Sequence, residues 1–283
     1  MIDSIRLKTG AGIRKICQVL QVPRSSYHAA AKPTTTQLDD QKLSEQIVTI
    51  FRTHRRRYGY RRIHQDLKEK GLICSTARVR RLMKEKGLHA LQPKNFVPKT
   101  SDGKANKPSL NLLVAEGPPS TINQAWAGDI TYIPTSKGWR YLAIVIDLHS
   151  RKIIGWSLAD HMRSELVCEA FQQALATRRD YRGVIFYSDR GSQYGSGSFR
   201  EMLSEAEVRQ SMSARANPYD NAWTESCIGT LKREMLQGGE FIDDSDARIE
   251  LFSYIEGYYN TQRKHSSLGY LAPSKYEFKN FKN

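Results

Sequence analysis

The sequence predicts an α/β protein: a mixed five-stranded sheet flanked by helices, preceded by an all-α region of helix-turn-helix character. Three observations carry this reading. From about residue 121 onward, β-branched and aromatic runs alternate with stretches of helical periodicity, the pattern of a sheet covered by helices. Upstream, apolar residues recur at helical spacing. The charge divides at the same place: residues 1–110 hold 24 Lys and Arg against 8 Asp and Glu, and residues 111–283 hold 20 against 21. The whole formal charge of +15 therefore belongs to the first part. A basic module joined to a near-neutral, acid-bearing one separates binding from chemistry, and so one-sided an excess points to nucleic acid as the partner. A chain of 283 residues accommodates a core domain and one or two small modules.

Residues 1–92 form the helical region. Residues 12–20 and 22–27 read as a weak helix pair, with Ser25 or Ser26 capping the second helix. Residues 32–37, rich in Pro and Thr, read as a linker, and 39–54 as a longer helix turned inward through Leu43, Ile47, Ile50 and Phe51. The basic run Arg55, Arg56 and Arg57 suits phosphate contact or a solvated helix end. Residues 58–70 then form a helix with Ile63 and Leu67 one turn apart, ended by Gly71. Ser75 caps a second helix, 76–86, which turns Val79, Leu82 and Met83 inward and leaves Arg78, Arg80, Arg81 and Lys84 outside until Gly87 stops it. Residues 58–88 thus read as a helix-turn-helix whose second helix can enter a major groove. With Arg61 and Arg62 of the first helix, these four basic residues are the candidate DNA contacts.

Residues 93–119, with Pro93, Pro98, Pro108, Pro118 and Pro119 among several lysines, read as a flexible or extended basic linker. The core with its C-terminal extension occupies 120–283. Its strands are 126–133, 139–146 and 153–157, with a turn at 136–138, then 183–188 and one near Val208. Helices at 164–178 and 198–205 separate the later strands. Three successive antiparallel strands followed by alternating helices and strands give the mixed sheet.

Three carboxylates stand in contexts that aim them at one point. Asp129 is planted in the middle of an apolar strand, where an acid is costly unless a cation meets it. Asp189 ends the apolar run 183–188 and opens a Gly-containing loop, the usual place for a site in an α/β sheet. Glu225 falls in the first or second turn of a helix that Asp220 or Asn221 can cap after Pro218. On that helix Trp223, Cys227, Ile228, Leu231 and Met235 share an apolar face, and Glu225 and Lys232 lie beside it within roughly 20° of each other. Gly229 leaves room on the same side, whereas Glu234 points toward the apolar face and is the weaker acid. Oxygen ligands of this kind suit Mg²⁺, and two such ions about 4 Å apart serve an in-line phosphoryl displacement. The bland alternative makes Asp129 the partner of a buried arginine, Asp189 a turn residue and Glu225 a surface residue.

Four stretches carry a resemblance: 129–133 (DITYI), 187–194 (YSDRGSQY), 217–226 (NPYDNAWTES) and 259–269 (YNTQRKHSSLG). In order and spacing they resemble the bacterial insertion-sequence transposases of the IS-three type, whose catalytic core is similar to that of retroviral integrases. The resemblance runs from about residue 10 to the C-terminus. It implies an RNase H-like fold, a DDE triad at Asp129, Asp189 and Glu225, two Mg²⁺ ions held by that triad with Mn²⁺ able to substitute, and DNA cleavage with strand transfer. The family often has His where this chain has Tyr187, a position that no triad ligand occupies. The implied partners are double-stranded DNA, as the element's terminal inverted repeats and as target, further copies of the chain in a synaptic complex, and the product of an upstream reading frame. The chain itself shows no sustained heptads for multimerisation.

The remaining candidates are weaker. Asp147 ends a strand and reads as a turn or capping residue. Lys232 is assigned to a DNA phosphate, the alternative being an ion pair with Glu225 or a neighbouring acid. His265 and Asn260 are assigned to organising the C-terminal segment or meeting DNA, and Trp223 and Tyr219 to packing and loop structure. Cys17, Cys74, Cys168 and Cys227 lack the paired spacing of a zinc site. Without a secretory signal or a long apolar stretch, the expected location is the bacterial cytoplasm, with no membrane partner and with association to the nucleoid. A nuclease that cuts without joining and a non-catalytic DNA-binding protein are the alternative classes.

Overall fold

The computed structural model describes residues 1–31, 34–92, 109, 112, 116–212, 222–236 and 239–280, except for the side chains of 29–31, 222 and 223. The chain divides into two compact units, Met1–Ala90 and Leu91–Asn283.

The first unit is all helix: α1 (Ile2–Thr9), α2 (Ile13–Val19), α3 (Arg24–Ala31), α4 (Thr35–Thr53), α5 (Tyr60–Glu69) and α6 (Thr76–Glu85). Two starts differ from the sequence reading. Helix α3 begins ahead of Ser25 and Ser26, and the Pro23 carbonyl accepts from Tyr27 N at 3.2 Å, so neither serine is the cap. Proline, with its fixed φ and no N–H, suits that entry. Helix α4 starts at Thr35, not near Asp39, because Thr34 and Gln37 form a reciprocal capping box: Gln37 N donates to Thr34 Oγ1 at 3.2 Å and Thr34 N to Gln37 Oε1 at 2.8 Å. Helices α4, α5 and α6 pack together through Ile47, Ile50, Phe51, Ile63, Leu67, Val79 and Leu82, all buried. Ser75 caps α6 by accepting from Arg78 N at 3.1 Å.

The second unit is built on β1 (Ala125–Thr135), β2 (Gly138–Asp147), β3 (Ile153–Ala159), β4 (Ile185–Ser188) and β5 (Arg209–Met212), in the order β3-β2-β1-β4-β5. β1, β2 and β3 form an antiparallel meander, while β4 runs parallel to β1 and β5 parallel to β4. Helices α7 (Ser164–Thr177) and α8 (Gly197–Glu205) cover one face, over a core that includes Trp126, Ile130, Val145, Phe171, Phe186 and Phe199. The approach of α7 is close at Gly155 of β3, where a Cβ would come within 2.1 Å of the Ala170 carbonyl oxygen. Helix α9 (Ala222–Leu236) packs against β1. The chain closes with α10 (Asp244–Phe252), a π-helical stretch (Ser253–Tyr259), a 3₁₀ turn (Ser266–Leu268) and α11 (Pro273–Asn280). This mixed, helix-flanked sheet is the expected RNase H-like arrangement.

A buried polar knot ties the C-terminus to the sheet. Asp147, fully buried, accepts from Asn123 N at 2.8 Å, His149 N at 3.0 Å and Ser150 N at 2.8 Å, and so shapes the β2–β3 turn. Glu277 of α11 accepts from Ser150 Oγ at 2.7 Å, Lys152 Nζ at 3.2 Å and the Arg178 guanidinium. Burial alone would raise the Glu277 carboxyl, but the Arg178 hydrogen bond and charge, with Ser150 and Lys152, hold it below the usual range. Such a group stabilises the fold above its unfolded pKa and loses that contribution as pH falls through the folded one. Glu277→Gln is expected to lower stability at neutral pH by about 1.5–3 kcal/mol and to flatten the loss of thermal stability below about pH 4.5. Melting curves from pH 7 to 3 test this; parallel wild-type and variant curves would contradict it.

Candidate active site

The pleat of β1 alternates its side chains between two environments. Trp126 and Ile130 enter the aromatic core under α7 and α8, so Asp129 points to the opposite face. Gly128, between them in parity, keeps the core side open: a Cβ there would lie 2.6 Å from Phe186 Cζ and 3.1 Å from the Tyr194 hydroxyl. β4 pairs in parallel with β1 up to Ala127 opposite Tyr187. Two residues further along each strand direction stand Asp129, midway along β1, and Asp189, just past the end of β4, so the register delivers both acids to one face.

The loop after β4 is held tightly. Gly191 N donates to Asp189 Oδ1 at 2.9 Å, and a Cβ on Gly191 would crowd Asp189 Oδ1 at 3.0 Å and Gln193 Oε1 at 2.9 Å. Gln193 Nε2 reaches the Met162 carbonyl at 2.9 Å, and Gln210 Nε2 reaches the Tyr194 carbonyl at 2.7 Å. Burial, then Asp129 and Asp189, push the Tyr194 phenol well above its ordinary pKa, so it remains a neutral hydroxyl beside the acids.

Glu225 lies exposed in the first turn of α9, while Thr224, Cys227, Ile228, Leu231 and Glu234 are buried on the inner side. Met235 is half-buried, and the side chain of Trp223, with Tyr219 and the expected caps Asp220 and Asn221, lies outside the described residues. Lys232 is half-buried, its pKa lowered by burial against the opposing pull of Asp129. Asp129, 8% exposed, has its pKa raised to about 8 by burial, then by Asp189 and by Glu225, against the Ile130 N–H and Lys232. The Ile130 N–H donates to Asp129 Oδ1 at 2.8 Å. Asp189, Glu225 and Lys232 therefore each lie within electrostatic reach of Asp129.

Among the described residues, no three His, Cys, Asp or Glu side chains are gathered closely enough to hold an ion. Like charges in a poorly solvated place repel, and one proton on Asp129 relieves the repulsion. The donor set consists of carboxylate oxygens facing a shortage of positive charge, which fits a hard divalent cation.

The other acids are committed elsewhere. Asp147 is spent on its turn. Glu234, expected to be the weaker acid, is buried in a fork with Arg263, whose Nε and Nη2 donate at 2.8–3.0 Å, and takes a further bond from the Tyr254 hydroxyl at 2.9 Å. Sequence reasoning missed this pair, although Glu234 beside an apolar helix face called for a cation. Asn260 clips the start of β3 through both amide atoms, accepting from Ile153 N at 3.0 Å and donating to its carbonyl at 2.9 Å. His265 stands edge-on to Tyr259, 5.0 Å between ring centroids, with Nε2 at 3.3 Å from Arg263 Nη1.

In the first unit, the six basic candidates separate. Arg78 Nε and Arg81 Nη2 each bond Asp40 at 2.6 Å, and Arg81 Nη1 also bonds Glu85 at 2.8 Å. Arg81 and Arg78 hold the Asp40 carboxyl below the usual range. Arg61 and Arg80 lie 5.2 and 5.8 Å from the Tyr60 ring centroid, Arg62 lies 5.5 Å from that of Tyr58, and Lys84 is exposed.

Known proteins share these parts. A family model described as "Integrase core domain" matches residues 119–218, a second of the same description matches 206–273, and one described as "HTH-like domain" matches 37–96. The transposase for insertion sequence element IS904 of Lactococcus lactis is 39% identical over 87% of this chain and 97% of its own length. Transposase InsF for insertion sequence IS3A of Escherichia coli K12 is 38% identical over 95% of this chain and 94% of its own. The HTLV-2 integrase catalytic core in complex with magnesium aligns with 54% of this chain and 95% of that one, at 18% identity and a TM-score of 0.41. No described helix is long and apolar enough to cross a membrane.

The Glu234–Arg263 pair yields a stability prediction. Glu234→Gln leaves a buried guanidinium without its counter-charge and is expected to destabilise the second unit by about 3–5 kcal/mol. Urea unfolding measures it; a change under about 1 kcal/mol would show that the pair is not what fixes α9 to the C-terminal segment.

Proposed function

The chain belongs to the IS3-type insertion-sequence transposases and serves DNA transposition, and from that premise we propose that Asp129, Asp189 and Glu225 are its catalytic triad, cleaving DNA at the ends of its element and joining them to new phosphodiesters. The observation that carries this is the Asp129 carboxyl, driven up to about 8 by burial and by Asp189 and Glu225. A carboxyl so placed is poorly suited to stay ionised until positive charge arrives.

The three carboxylates would hold Mg²⁺, two ions per site, with Mn²⁺ able to substitute. When bound, the metal supplies charge neutralisation for the phosphate and an acidified attacking oxygen. Asp129 would hold its proton until positive charge is bound beside it, and the bond from Gly191 N to Asp189 Oδ1 positions the second ligand. Glu225 comes from a different element, α9, with Lys232 two turns on and available to a phosphate oxygen. In the first reaction water attacks phosphorus and the bond to the leaving 3′-oxygen breaks, giving a 3′-hydroxyl. In the second that hydroxyl loses its proton, attacks another phosphodiester and displaces its 3′-oxygen, so the number of phosphodiester bonds is conserved and no protein ester forms.

The same reading assigns residues 1–92 to double-stranded DNA, with the helix-turn-helix at about 58–88, residues 93–119 to a linker, and 120–283 to catalysis and its C-terminal extension. Terminal inverted repeats and target DNA are the substrates. A homo-oligomer bridges two element ends in a synaptic complex, and the product of an upstream frame joins the active species. The setting is the bacterial cytoplasm at the nucleoid.

Asp189→Asn and Glu225→Gln are each expected to reduce strand joining of labelled element ends by about 10²–10³-fold or more while leaving DNA binding intact. Cleaved but unjoined products from the unaltered chain would favour a simple nuclease, and joining that survives both substitutions would remove the triad assignment. MgCl₂ is expected to raise the melting temperature of the unaltered chain more than that of Asp189→Asn; equal shifts would place the ion elsewhere.

A further inference from the structure

Helix α6 has two outward flanks with opposite electrostatics. On one, Asp40 of α4 accepts from both Arg78 and Arg81, and Glu85 takes the remaining terminal nitrogen of Arg81. Two cations and two carboxylates make that flank locally neutral, and carboxylates tether Arg81 at both of its terminal nitrogens. On the other flank Arg80 and Lys84, one turn apart, are exposed, and Arg61 of α5 is exposed beside them. The ring of Tyr60 underlies both Arg61 and Arg80, at 5.2 and 5.8 Å from its centroid. An aromatic ring beneath a guanidinium limits its wandering and leaves its edge donors free. Among the described residues, no carboxylate pairs with Arg61, Arg80 or Lys84.

We propose that duplex DNA meets the first unit on the flank built from Tyr60, Arg61, Arg80 and Lys84, and that Asp40 withdraws Arg78 and Arg81 from that interface to brace α6 against α4. This rests on the reading of the first unit as a DNA-binding module and sorts its basic residues into two roles. Arg78 and Arg81 hold the helix at its angle. Arg80, Lys84 and Arg61 neutralise phosphates, with Tyr60 as their shelf. Asp40 also restrains non-specific affinity, because releasing it would add two cations to the exposed surface.

The test uses the full chain and a random-sequence duplex, with binding followed as salt is raised. For every phosphate that a side chain no longer neutralises, the slope of log K against log salt becomes shallower by about 0.9. Arg61→Ala, Arg80→Ala and Lys84→Ala are each expected to flatten the slope by about that much at unchanged melting temperature. Arg78→Ala and Arg81→Ala are expected to leave the slope alone and to lower the melting temperature. Asp40→Asn is expected to bind as tightly or more tightly, with a slope at least as steep. The reverse pattern, equal flattening from both sets, or weaker binding by Asp40→Asn would overturn the assignment of flanks. An unaltered chain that binds duplex without salt dependence would instead overturn the DNA-binding reading on which it stands.

Discussion

The constraint on which the rest depends is an ionisable carboxyl placed in the middle of the central strand of a packed sheet. Asp129 has little water, a backbone donor, and two other acids within electrostatic reach. Removing an ionised carboxylate from water is unfavourable by several kcal/mol, so the surrounding fold must supply rigidity while the site waits for positive charge. The aromatic core on the opposite face does this for β1 and β4. The fork between Glu234 and Arg263 does it for α9, and the Glu277 knot ties the closing helix to the β2–β3 turn.

The first unit solves a different problem with similar means. Helix α6 crowds Arg78, Arg80, Arg81 and Lys84 onto three turns with Glu85 as its only acid, and these like charges repel one another. One aspartate between two arginines relieves that repulsion across α4 and α6, where an additional apolar pair would have given no counter-charge. Arginine suits the arrangement because its planar fork can meet a carboxylate with fixed geometry.

Much of this architecture is legible in the sequence because local and global signals agree. The strands of the meander announce themselves through β-branched and aromatic runs, and Gly71 and Gly87, which end α5 and α6, lie at φ +75° and +63°, where L-residues are disfavoured. Strand position, strand-end position and helix position of the three acids are likewise local facts. What escapes is non-local. Glu234 and Arg263 are far apart in sequence, and nothing near either names the other. Asp40 looks like a helix-surface acid until α6 is laid beside it. The capping box at Thr34 and Gln37 is present in the letters but overshadowed by the Pro- and Thr-rich run around it. The π-helical stretch depends on packing of Tyr254, Ile255, Tyr258 and Tyr259, which no short-range pattern encodes.

The parallel pairing of β1 with β4 bears on how such a chain can change. Side chains on a strand repeat with period two, so inserting a single residue between Ala125 and Asp129 would swing the acid into the aromatic core and bring Gly128 to the other face. A change of length by one residue is therefore forbidden within the first five residues of β1, which makes a short stretch of backbone the ruler against which every descendant of this sequence must be measured.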